Sequence, residues 1–469
     1  MTHRLLGLAS MFVLVCLPLR AAEPIDIGSR LELFVDDYLI GGLEGAEQVL
    51  HHPTARDLAL VHDAPWEGNV CFYHTVFQDG DVYRMYYRGA HSDQEKGENS
   101  TQVVCYAESS DGVNWTKPEL GIVEHAGSKE NNIIWNGVGS HNFAPFKDPN
   151  PNCKPDERYK ALGSGKRGLV AFKSTDGIHW SLMRDEPVIT KGAFDSQNLA
   201  FYNTLRGHYV DFHRGFRNGV RDIMTCTSDD FREWTEPVWL EYTGAPRQHL
   251  YTNQITAYFR APHIFMGFPK RFMPSRKLAE HRLTGVSDGC FMSSRDGLVF
   301  HRWPEAFVRP GLQKDRWVCR NNMIAWGIVT TASALEGAPD ELSLYVVEGY
   351  YSGDSCQTRR YTLRVDGFVS VQAPLAGGEM VTKPLTFEGN ELVINYSTSA
   401  AGSVQIEIQD AEGKPIEGYV LDDCPVIFGD QLERAVTWKG GADVGKLAGR
   451  PVRLRFVLKD ADLYSIRFR

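Results

Sequence analysis

The sequence predicts an all-β protein, a five-bladed β-propeller followed by a small C-terminal β-sandwich. Three observations carry that expectation: a turn motif recurs, each copy follows a β-rich run, and no segment has the pattern of a long helix. Ser109-Ser110-Asp111-Gly112-Val113-Asn114-Trp115 returns most clearly as Ser174-Thr175-Asp176-Gly177-Ile178-His179-Trp180. Residues 227–234 keep the pattern with one residue inserted, and residues 293–300 and 363–368 are looser copies. The aspartates taken as markers, Asp111, Asp176, Asp229, Asp296 and Asp366, are 65, 53, 67 and 70 residues apart. An Asp-Gly pair between strand-like runs reads as a tight hairpin turn, and a repeat of this period suits propeller blades with generous loops.

Taken in order, residues 1–22 have the form of a secretory signal peptide. His3 and Arg4 precede an apolar run from Leu5 to Leu19, and Ala21-Ala22 supplies a small-residue cleavage site. A secreted or periplasmic location follows, with no membrane attachment after cleavage. The propeller is then expected over 23–382. Residues 71–77, 82–87 and 102–108 supply strands of the first blade, 141–147, 159–163 and 169–173 of the second, and 194–202, 208–214 and 221–226 of the third. Residues 251–258 and 264–268 open the fourth, and 320–324, 342–348 and 358–365 form the fifth. In all of these apolar residues alternate with period two, as half-buried strands require. The marker stops after Gly377-Gly378, and 383–469 carry short alternating strands that read as the sandwich.

Composition narrows the function. With 42% hydrophobic and 23% charged residues the chain is an ordinary globular protein. A formal charge of -9 with no Lys/Arg-rich run argues against nucleic acid or an anionic membrane as partner. Eight cysteines follow residue 22, most of them alone within apolar runs where a thiol acts as a small hydrophobe. Zero to two disulfides are expected, and no cysteine zinc site. No cofactor is required; a structural calcium ion is an option.

A propeller gathers its first strands around one channel, so polar residues at the strand starts would share a mouth. Those starts carry Glu67 and Asn69; His141 and Asn142; Asp195, Gln197 and Asn198; Asn253 and Gln254; Asn321 and Asn322. Such groups can match sugar hydroxyls, or can satisfy one another and water. Two carboxylates at the mouth could divide acid and base or nucleophile roles in glycosidic cleavage. Asp195, Glu67 and Glu348 are the candidates, Glu348 because an acid ending an apolar strand is either paired or carries a raised pKa. Arg88, Arg214, Arg260 and Arg271 each follow an apolar strand, fit to bind hydroxyls, a carboxylate or a sulfate, or to brace the carboxylates. His213 suits acid/base work or one polar strand face. The turn markers themselves read as scaffold.

On residues 33–40 (Leu-Phe-Val-Asp-Asp-Tyr-Leu-Ile), Phe194-Asp195-Ser196-Gln197-Asn198, Tyr251-Thr252-Asn253-Gln254-Ile255, 385–389 and 459–465, the chain resembles secreted planctomycete-type proteins described as like glycoside hydrolase family 32. More distantly it is similar to the five-bladed propeller furanosidases of families 32, 43 and 68. The resemblance implies a secreted glycoside hydrolase with three funnel acids. The Asn-Asp-Pro-Asn-Gly, Arg-Asp-Pro and Glu-Cys segments of the true fructosidases are absent, so no catalytic residue transfers by motif. The leading expectation is a glycosidase that cleaves a terminal bond of a carbohydrate substrate. The alternatives are a noncatalytic carbohydrate-binding or surface scaffold protein and a non-hydrolytic sugar-active enzyme.

Overall fold

The computed structural model describes residues 23–93 and 96–469; the expected signal peptide lies outside the described residues. The alternating runs form strands, and helix among the described residues is confined to four 3-10 turns of three or four residues. All eight described cysteines are free thiols.

The marker turns show why the motif recurs. Asp111 Oδ1 accepts the backbone N–H groups of Val113 and Asn114, both at 2.8 Å, and Ser109 Oγ accepts that of Gly112 at 2.9 Å. Asp176 and Asp296 repeat the arrangement with Ser174 and Ser294. In the third copy the acceptor is Asp230, not Asp229: it takes the N–H groups of Arg232 and Glu233, so nothing is inserted. Phe231 then occupies the glycine position at φ 65°, a left-handed conformation that glycine adopts far more cheaply. Asp366 departs from the pattern, accepting instead from Tyr258 Oη and Arg260 Nε. Two of the turns dock on a neighbouring sheet. The Gly112 carbonyl accepts from Tyr345 Oη at 2.5 Å and the Gly177 carbonyl from Tyr86 Oη at 3.1 Å.

The sheets nevertheless do not assemble as a five-bladed propeller. Hydrogen bonding divides the strands into eight open sheets of ten, four, four, four, five, three, five and two strands, none of them closed or curled into a propeller. The marker's bonds span only two or three residues, so it specifies a hairpin and says nothing of how many strands join it or how the sheets arrange themselves. The fourth expected unit splits in two. Ala261–Gly267 belongs to a five-stranded sheet and Lys270–Met273 to a three-stranded one. Between them stands Pro269, which has no N–H to donate to a ladder.

The expected C-terminal sandwich is corrected as well. Its two long strands, Leu392–Asp410 and Val452–Phe468, pair with each other inside the ten-stranded sheet, which also takes in Ile25–Gly28, Glu32–Leu33, Ile40–Glu44 and Glu47–Leu50. Its core stacks Phe387 on Phe468 with ring centroids 3.7 Å apart.

The turns make the fold acid-sensitive. Partial burial pulls the carboxyls of Asp111, Asp176, Asp230 and Asp296 up, but the backbone donors prevail and hold all four below the usual range. A depressed folded-state pKa contributes stability in full above the unfolded value, about 4, and loses it as pH falls further. Asp176→Ala should lower stability by about 1–2 kcal/mol at neutral pH. In thermal unfolding between pH 7 and 3, the gap to wild type should narrow toward the acid end.

Candidate functional site

Buried amides place the one exposed acid among the candidates. Gln197 Nε2 donates to the Tyr73 carbonyl (3.1 Å), the His74 carbonyl (3.2 Å) and Thr75 Oγ1 (3.0 Å), and its Oε1 accepts from Gln254 Nε2 at 2.7 Å. Around Asp195, Asn142 Nδ2 bonds the carbonyls of Phe194 and Ser196, each at 2.5 Å, and Asn198 Nδ2 bonds the same two at 3.1 and 2.8 Å. The backbone on either side of Asp195 is therefore clamped through the Phe194 and Ser196 carbonyls, and its side chain projects outward, 66% exposed.

His141 Nε2 lies 2.8 Å from Asp195 Oδ1; since a carboxylate only accepts, that nitrogen carries the proton. Arg214 Nη2 is 3.7 Å from Oδ2. Partial enclosure raises the carboxyl pKa, but His141, Arg214 and Arg320 outweigh it and hold Asp195 below the usual carboxylate range. At neutral pH it is therefore ionised. Arg88 closes the far side, with Nη1 at 3.2 Å from His141 Nδ1 and Nη2 donating to Tyr350 Oη at 2.9 Å.

The other two carboxylate candidates are engaged elsewhere. Glu67 is 3% exposed and accepts from Tyr87 Oη at 2.5 Å and Lys117 Nζ at 2.6 Å. Burial raises its pKa, but His62 and Lys117 prevail and bring it to about 2. Glu348, 1% exposed, accepts from Arg359 Nε at 3.0 Å and Tyr361 Oη at 3.2 Å beside Arg316 Nη1 at 3.3 Å.

The remaining candidates bond to the frame. Asn69 holds the Ser92 and Gly353 carbonyls, Asn253 that of Phe212, and Asn322 those of Ser287 and Arg316. Arg271 grips Asp288 with two bonds, at 2.9 and 2.6 Å, and Arg260 pairs with Asp366 at 3.0 Å. His213 Nδ1 meets Asp211 Oδ1, and its Nε2 lies 3.0 Å from the Lys191 carbonyl. Asp211, His213 and Cys226 are the one set among the described residues with ligand atoms close enough to share a metal ion. A thiol, an imidazole and a carboxylate suit a softer ion than calcium, which takes six to eight oxygens.

Sequence reasoning named Arg214 but missed the ring of residues to which it belongs. Tyr251 is buried, and Lys270 Nζ, Arg214, Arg221 and Arg320 lie 4.2, 5.0, 5.4 and 5.9 Å from its ring centroid. Lys270 also sits 4.3 Å from the Phe72 ring, and its Nζ donates to the Arg320 carbonyl at 3.2 Å. Burial first, then Arg320 and Arg214, holds its ammonium well below the usual lysine range. Arg320 has φ 72° and Tyr351, whose hydroxyl it bonds at 2.9 Å, has φ 63°. The available signal was the Phe-Pro-Lys-Arg run at 268–271, basic residues directly after an apolar strand, of which only Arg271 was singled out.

No protein-family model matches the sequence, and no curated protein matches it significantly. Several solved structures are similar in shape. An N-acetylgalactosamine deacetylase from F. plautii, in complex with blood group B trisaccharide, is 12% identical with a TM-score of 0.39, over 68% of this chain and 95% of that one. An endo-arabinase from Bacteroides thetaiotaomicron is 10% identical with a TM-score of 0.37, over 66% and 98%. A family 32 β-fructofuranosidase from Bombyx mori is 9% identical with a TM-score of 0.40, over 90% and 94%. Likeness at this level carries no argument about activity. It spans proteins of unlike chemistry without favouring family 32, so the expected membership among family 32-like proteins, and the kinship with the propeller furanosidases of families 32, 43 and 68, are not upheld. No helix among the described residues is long and apolar enough to cross a membrane.

Removing the charge at Glu67 leaves Lys117 half-buried with Asp63 as its only carboxylate partner, beside the Val61 carbonyl. Glu67→Gln should cost about 3 kcal/mol in denaturant unfolding at pH 7. Because Glu67's folded pKa is depressed, the difference should be largest above pH 5 and shrink as pH falls toward 2.

Proposed function

We propose that this protein binds a saccharide at the mouth formed by Asp195, His141 and Arg214 and processes it with Asp195 as the ionised group. The observation that carries the reading is an exposed carboxylate on a doubly clamped loop, oriented by a histidine and an arginine. Rigid seating of a reactive group on buried supports is what positioned chemistry requires. In hydrolysis of a glycosidic bond, Asp195 would take a proton from water as that water attacks the anomeric carbon, and the bond to the leaving oxygen would break as that oxygen takes a proton from solvent. Glu67 and Glu348 act in this reading as braces, each neutralising buried cations.

A second reading, carbohydrate binding without cleavage, is favoured by one specific observation: both other candidate acids are locked in buried ion pairs, away from any role as proton donor. The two readings separate in one experiment. On a glycan library, with product release and binding measured in parallel, Asp195→Asn should reduce turnover by about a hundredfold or more while the melting temperature holds. A substrate turned over equally by wild type and variant would sink the catalytic role. Binding by both proteins with turnover by neither would select the noncatalytic reading.

A further inference from the structure

The chain carries a formal charge of -9, yet four of its cations gather around one ring. Arg214, Arg221, Lys270 and Arg320 surround Tyr251 within 6 Å, and Arg88 lies 5.1 Å from the neighbouring Tyr73 ring. Asp195 is the one carboxylate among the described residues that forms an ion pair with any of these five. Elsewhere buried basic groups such as Lys160 and Arg316 are matched by Asp148 and Glu348, while Arg302, which has no carboxylate partner, stands alone rather than in a cluster.

The unmatched state extends to individual atoms. The Arg214 side chain is only 5% exposed, and its Nε and Nη1 have no hydrogen-bond acceptor; Arg221 Nε also has none. A buried guanidinium with idle donors is costly, and rings supply only part of what is missing. Arg320 and Tyr351 add two left-handed residues at the same place, a kind of strain that clusters where ligands are clamped. Next to Asp195 an open depression of about 580 Å³ is lined by His141, Thr190, Lys166 and Arg167, the last two exposed cations.

A neutral sugar could satisfy hydroxyl-sized gaps but would leave this charge uncompensated. We propose that the mouth beside Asp195 recognises the oxyanion of an acidic saccharide, a uronate carboxylate or a sulfate ester, through Arg214, Arg221 and Arg320. The planar guanidinium fork matches both groups with paired, charge-assisted hydrogen bonds. This rests on the reading of the mouth as a saccharide site and adds the class of saccharide. Free phosphate offers the same chemistry without the sugar.

Calorimetry on the full chain at low and moderate salt tests it with four probes: an oligogalacturonate, a sulfated galactan oligosaccharide, a neutral galacto-oligosaccharide and inorganic phosphate. At least one acidic oligosaccharide should bind about tenfold or more tighter than the neutral one, with an advantage that shrinks as salt rises. Arg214→Gln and Arg320→Gln should each weaken binding of the acidic oligosaccharide more than that of the neutral one and so narrow that advantage. Arg320 is partly exposed, so its variant serves should Arg214→Gln fail to fold. Equal affinity for acidic and neutral saccharides would overturn the inference and leave the saccharide reading standing. Tight binding of phosphate alone, sensitive to the same variants and with no oligosaccharide bound, would assign the cluster to a free anion and overturn both. No binding of any acidic probe would likewise overturn the inference.

Discussion

The Gln197 amide is the interaction on which the rest of the structure depends. Its nitrogen reaches three acceptors on the strand segment 73–75 and its oxygen accepts a hydrogen bond from Gln254, so one side chain ties a strand to segments that lead into two other sheets. Trp326 extends the junction, donating its indole N–H to the Ile255 carbonyl at 2.9 Å and its backbone N–H to the His74 carbonyl. An amide buried in such a place is favourable only when nearly all its hydrogen bonds are made. The geometry of the three sheets is therefore held to the tolerance of a hydrogen bond, and the loop carrying Asp195 inherits that precision because it begins two residues before Gln197.

Charge is distributed in two contrasting ways. In the frame, acids and bases are paired in small buried clusters, as at Glu67 with Lys117, Glu348 with Arg359, and Glu32 with Arg295. At the mouth, guanidinium groups stack on tyrosine faces and retain idle donors. Breaking a pair in the frame leaves a lone buried charge, whereas the mouth already contains such charges in the native state. The first pattern supports a fold; the second is what the proposed acidic-saccharide reading would have a bound oxyanion satisfy.

Much of the local structure was legible in the residues and much of the assembly was not. The Ser-x-Asp-Gly-x-x-Trp turns are determined by contacts within four residues, so they could be read directly, and the third copy was misread only because Phe231 stands where glycine was expected. Sheet membership depends on partners distant in sequence. Nothing near Pro269 announces that the chain leaves one sheet and enters another, and nothing within residues 25–50 announces pairing with the final strands. At the mouth, the amide-rich segment 194–198 was conspicuous and proved to clamp its own loop. Glu67 and Glu348 stood beside Asp195 as candidates because their partners, Lys117, His62, Arg359 and Arg316, come from elsewhere in the chain. The cation ring around Tyr251 was least visible of all, since it draws single residues from segments near 214, 221, 270 and 320.

The ten-stranded sheet joins both ends of the described chain: Ile25 pairs in parallel with Leu385, and Glu32 lies opposite Ile466. A chain made from its N-terminus outward must hold the segment 25–50 without its partners until nearly the whole polypeptide has been synthesised. Edges left waiting in this way are sites for mispairing and aggregation, and contacts so distant in sequence form slowly. The Asp-turn hairpins can close as soon as they emerge, but the sheet that locks the two termini together can form only last. Synthesis of this protein therefore imposes an order on its folding, from the middle outward to the ends, and places the vulnerable interval just before the final strand arrives.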